Sequence, residues 1–129
     1  MKKILCISVL FICLLAVGPV YAGSIDGLWT LSAPTGELVG FGMARENYGI
    51  LLFVTLSPDL TDWQAFAGSF NGTSAPDLTT VVSQDAVMHI SLVLTSPSSG
   101  TATITSCTPI VPDGCDVPVG LAIQVQKAF

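Results

Sequence analysis

A chain of 129 residues whose first 22 read as a removable leader leaves 107, enough for one domain with one modest core, so a multi-domain organisation is excluded. Half of the residues are hydrophobic, partly because of the leader, and the remainder has ordinary globular composition rather than that of a disordered polymer. Loss of Lys2 and Lys3 with the leader moves the net charge from −5 to −7, leaving Arg45 and Lys127 against nine carboxylates; such a surface repels phosphate backbones and anionic headgroups, which argues against nucleic-acid and anionic-membrane partners.

The leader spans Met1 to Ala22: two lysines, the apolar run Ile4 to Val17, then Gly18-Pro19 and Val20-Tyr21-Ala22 with small residues where a signal peptidase reads. The run falls short of the ~18 to 20 apolar residues that a spanning helix needs. Cys13 follows Ile12 rather than a small residue, so the lipoprotein pattern is absent. The expected product, residues 23 to 129, is therefore exported to the periplasm or the medium and keeps no stable membrane anchor.

Beyond the leader, no stretch sustains helical periodicity, whereas runs rich in Val, Ile, Leu, Thr and aromatics recur between turn residues. Strands are predicted at Leu28 to Ser32, entered through Gly27 and carrying Trp29, and at Leu38 to Arg45, where Gly40 and Gly42 form a bare stripe of the kind that permits strong coiling or close backbone approach. Glu46-Asn47-Tyr48-Gly49 tolerates positive φ and makes a turn. The next strand, Ile50 to Leu56, is apolar on both faces, which predicts that something other than water covers its outer side. Ser57-Pro58-Asp59 presets a turn before a strand at Trp63 to Phe70. Asn71-Gly72-Thr73 has the form of a glycosylation acceptor and is first of all a turn signal.

Strands follow at Thr79 to Ser83 and at Ala86 to Thr95, where Met88, Ile90, Leu92 and Leu94 share one face and are assigned to the core. Ser96-Pro97-Ser98-Ser99-Gly100 interrupts the ladder, and strands at Gly100 to Ser106 and Leu121 to Lys127 complete a set of eight. Removal of Cys6 and Cys13 with the leader leaves Cys107 and Cys115, which should pair in an oxidising compartment and staple one short loop; a zinc site would need further ligands, and His89 supplies one at most. Because the loops are short, neighbouring strands should pair antiparallel as a meander. Eight short strands close most simply into a barrel, which removes exposed edges. The fold class is thus all-β: a single antiparallel meander of about eight strands, closed or nearly closed, with one loop disulfide.

Ser24-Ile25-Asp26-Gly27-Leu28-Trp29 resembles the Gly-x-Trp that begins the first strand of lipocalin-like and avidin-like meander barrels. The resemblance implies that Trp29 plugs one barrel end and that Lys127, at the position of those families' basic residue in the last strand, packs across it. It covers two short patches at the chain ends; the other lipocalin segments are absent and the strands are shorter, which argues against a deep cavity. The chain also resembles small exported bacterial β-domains with a Gly-x-Trp start and a second tryptophan-containing strand ending in glycine, here Trp63 to Gly68.

Chemistry is sparse. His89 is the sole imidazole, and Ser91, two positions along its strand and so about 6.5 Å away, is beyond hydrogen-bond reach. Asp59 with Asp62, and Asp113 with Asp116, lie in loops that lack an apolar pocket to raise one pKa; they read as turn formers that offer at most weak calcium binding. No cofactor and no metal site are expected. Recognition falls to Tyr48, Trp63, Phe66 and Phe70, since aromatics supply contact area with few rotors, although the same spacing also fits a core.

The expected function is a non-enzymatic exported barrel that binds a small apolar ligand or a cell-surface component such as a protein. The alternative is a small outer-membrane or surface-assembly structural protein: the chain ends in Phe129, with Leu121, Ile123 and Val125 alternating before it until Lys127 breaks the pattern. Eight membrane strands of about 9 to 11 residues would leave under ~30 residues for all loops and termini, which favours a soluble molecule. A hydrolase using loop carboxylates ranks third.

Overall fold

The computed structural model describes residues 24–129; the leader expected over residues 1–22 lies outside the described residues. Eight strands follow one another: β1 (Gly27–Ser32), β2 (Leu38–Asn47), β3 (Ile50–Leu56), β4 (Trp63–Ser69), β5 (Ser74–Val82), β6 (Ala86–Ser96), β7 (Ser99–Pro109) and β8 (Ala122–Lys127). Each pairs antiparallel with the next, and β8 returns to β1 with Trp29 opposite Lys127 and Leu31 opposite Val125, so the meander is a closed barrel. Backbone bonds past the end of β8 extend the seam, with Leu28 N donating to Phe129 O at 3.1 Å and Ala128 N to Leu28 O at 2.8 Å.

The turns use the chemistry their residues offer. Between β2 and β3, Tyr48 and Gly49 both take positive φ, 50° and 78°, the primed-turn geometry that suits a two-residue hairpin. Glu46 Oε1 accepts from Gly49 N at 2.7 Å across it. At Asn71, Oδ1 accepts from Thr73 N at 3.0 Å and Ser74 N at 2.8 Å, so the side chain shapes the turn.

Alternation sorts the residues. Phe53 faces Phe66 across β3 and β4, and both are buried together with Trp29, Leu31, Leu51, Leu78, Leu92 and Val125 in one core inside the barrel. In β6, Met88 and Leu92 are buried and Ile90 and Leu94 pack against the core from the same face, as their alternation requires. The glycine stripe of β2 points inward: a Cβ on Gly42 would meet the Phe53 ring at 2.6 Å and one on Gly40 would meet the carbonyl of Leu56, so the bare backbone lets a phenyl ring and a neighbouring strand come close. β5 begins at Ser74, five residues before its predicted start, because its register shift between Ala75 and Leu78 absorbs Pro76, which has no N–H to give the ladder.

At the end of the barrel where β1 starts, Trp29 is 1% exposed and its indole N–H donates to Ile25 O at 2.9 Å. The Lys127 ammonium donates to Ser24 O at 2.8 Å, tying the segment before β1 to the last strand. At the opposite end the loop after β7 folds back under a Cys107–Cys115 disulfide, and Ile110 N and Val111 N both donate to the carbonyl of Asp85 in the β5–β6 turn.

Candidate functional site

The barrel interior is filled. The space left among Leu31, Phe53, Leu78, Ile90, Leu92 and Ile123 amounts to about 40 Å³, far below the ~300 Å³ or more of a cavity that encloses a drug-sized ligand. Packing around Trp29, Phe53 and Val125 closes the other end of the core completely.

The outer wall is divided. On β1 to β3 the cross-strand row Leu28, Met43, Val54 faces outward, with Leu28 46%, Met43 47% and the neighbouring Leu52 42% exposed. These side chains and Gly27 line a groove of about 310 Å³ that is almost wholly carbon apart from Arg45. On β7 and β8 the outer faces carry Thr101 opposite Gln124 and Ser99 opposite Gln126, while β6 is mixed, with His89 and Ser91 between Val87 and Val93. The outer side of β3, expected to be covered, is exposed at Ile50 and Leu52; nothing among the described residues lies over it. Arg45 pairs with Asp26 at 3.5 Å at the groove rim, and Asp26 also accepts from Glu46 N at 2.6 Å, so the guanidinium that lines the groove is already steered by a carboxylate.

The four aromatics expected to act in recognition do not converge. Phe66 and Phe70 are core residues, whereas Tyr48, at the β2–β3 turn, and Trp63, at the start of β4, are exposed. Tyr48 lies at the same end as the finish of β4, and Trp63 lies at its start, about 20 Å away along the strand. Trp63 and Gln64 meet the β5–β6 turn around a cleft of about 120 Å³, with Asp62, Ser83 and Asp85 on its walls. Gln64 Oε1 is buried there without a hydrogen-bond partner among the described residues.

The loop leading into Trp63 is held by Asp59. Its Oδ1 accepts from Ser57 Oγ at 2.6 Å, Thr61 Oγ1 at 2.7 Å and Thr61 N at 3.1 Å, and these bonds, Ser57's first, hold its carboxyl down at about 2. Asp59 is thus an ionised loop organiser, the opposite of a carboxylic acid poised to give a proton. Asp113 and Asp116 are exposed in the disulfide loop.

The sequence reading missed one constellation. His89 Nδ1 lies 2.7 Å from Asp77 Oδ1 and 3.3 Å from Thr79 Oγ1. Asp77 enters reach through the β5 bulge, so spacing along the sequence could not have found it. Both partners sit on the same ring nitrogen; a nucleophilic triad needs the hydroxyl and the carboxylate on opposite nitrogens. The group therefore clamps the bulge to β6.

No protein-family model, no curated protein and no solved structure matches this chain.

Proposed function

We propose that this protein is an exported, non-enzymatic β-barrel that works from its outside, binding a cell-surface component through the apolar wall of β1 to β3. The observation that carries the reading is the contrast between a filled interior, with about 40 Å³ unoccupied, and an outer carbon-lined groove of about 310 Å³. A ligand carried within the barrel would need the reverse. Exposed apolar side chains at neighbouring positions are the usual mark of an interaction surface, and no carboxylate among the described residues lines the groove itself, Asp26 standing at its rim paired with Arg45.

The serine, threonine and glutamine facing outward on β7 and β8 support a periplasmic or secreted location over the outer membrane, where apolar residues would have to circle the whole barrel. Release by osmotic shock tests that location. For the function, labelled protein added to intact producing cells should bind, and Leu52→Lys or Met43→Glu should abolish binding with the unfolding temperature unchanged. Retained binding by both variants would refute the reading. A hydrolytic activity that collapsed on Asp113→Asn with Asp116→Asn would instead establish the enzyme rival.

A further inference from the structure

We propose that the cleft at Trp63 is a binding subsite for one ring of a neutral saccharide. It lies at the far end of the barrel from Trp29, formed by the start of β4 and the β5–β6 turn, and shares no residue with the outer groove. The proposal therefore stands or falls separately from the proposed function.

Three observations converge. The first is the indole itself. Trp29 is 1% exposed and plugs the core, whereas Trp63 is 55% exposed and packs into no core. A half-exposed tryptophan presents a flat apolar face beside polar groups, and one face of a pyranose ring offers matching C–H groups, with hydroxyls around its rim.

The second is the set of polar atoms. Asp62 and Asp85 carry acceptor-only carboxylates, and Ser83 can donate or accept. The excess of acceptors calls for a ligand rich in donors. Two carboxylates with no cation on the walls repel phosphates and uronic acids, so the ligand is a neutral polyol.

The third is rigidity. Asp62 is held on both sides, its carbonyl accepting from Ser57 N at 2.9 Å and its N–H donating to Ser57 Oγ at 3.1 Å, in the loop that Asp59 organises. Across the cleft, the Asp85 carbonyl holds Ile110 and Val111 of the disulfide loop. Both walls are thus ordered before a ligand arrives, which lowers the entropic cost of binding. A cleft of about 120 Å³ has room for a single ring, so affinity for a monosaccharide should be on the order of millimolar.

Because Trp29 is buried, Trp63 is the tryptophan available to solvent among the described residues, and its emission reports directly on the cleft. Glucose, galactose, N-acetylglucosamine and glucuronate are titrated into the purified protein, reading tryptophan emission, acrylamide quenching and backbone amide shifts. At least one neutral sugar should change the emission saturably, protect it from acrylamide and shift the amides of residues 62–64 and 83–85, while glucuronate does none of these. Trp63→Ala should abolish the amide shifts, and Asp62→Ala, which removes a wall carboxylate that makes no hydrogen bond of its own among the described residues, should weaken binding at least threefold, both with an unchanged unfolding temperature. Absence of a saturable response to every neutral sugar overturns the proposal, as does equal binding of glucuronate. Shifts confined to residues 28, 43 and 52 would also overturn it, moving the ligand to the outer groove.

Discussion

Asp59 shows how much one exposed side chain does when its oxygen is surrounded by donors. Its carboxyl, ordinarily near 3.8, is held at about 2, so it favours the folded loop when ionised. The contribution is complete above the unfolded value and is lost as pH falls from about 4 towards 2. A carboxyl-carbon titration by NMR should place the Asp59 midpoint near 2, and Ser57→Ala should move it upward. An unshifted midpoint in the wild-type protein would contradict the hydrogen-bond geometry. Gly42 makes the complementary point about space: in Gly42→Ala the new methyl meets the buried Phe53 ring, and urea denaturation should show a loss of about 1 to 3 kcal/mol. The same scale explains what was legible among the aromatics. Trp63 and Phe66 are three residues apart in one strand, so they fall on opposite faces. Which face is inner depends on Phe66 standing opposite Phe53 and Trp63 opposite Leu56, a pairing that no local pattern declares.

Strands and turns were more readable than side-chain roles, because alternation and turn residues act locally. β3 runs from Ile50 to Leu56, built on the continuous apolar run Ile50 to Val54, and the core face of β6 follows from alternation alone. β5 was legible only in its second half, since Pro76 looks like a strand breaker until a bulge accommodates it. The bulge also brings Asp77 to His89, so one misread boundary hid one side-chain cluster. The Cys107–Cys115 bridge followed from the count of cysteines left after the leader, and it closes a separation of 8 residues. On the loop-closure model that is worth about 2.5 kcal/mol. Replacing both cysteines by serine should lower the unfolding temperature by about 10 °C or more while the far-ultraviolet spectrum stays that of the barrel, because the ladder does not pass through the bridge. Complete unfolding at room temperature would show that the loop holds the strands together rather than merely capping them.

At the scale of the whole molecule, the contrast between the apolar side of β1 to β3 and the hydroxyl- and amide-bearing side of β7 and β8 is invisible in composition and appears only once register places Leu28, Met43 and Val54 side by side. Closure likewise has a consequence at this scale: the barrel has no free edge because β8 completes it. Truncation after Gly120 should uncover the pairing edges of β1 and β7 together, and light scattering should show aggregation where the intact chain stays dispersed. Every other pairing in the barrel joins neighbours in the sequence, whereas the seam joins Thr30 to Gln126, 96 residues apart. Hairpins can form as soon as both of their strands have emerged from the ribosome, but the seam cannot close until residues 124–127 are out. β8 thus acts as a clock on folding, leaving the barrel unlocked until long after its partner β1 has been made.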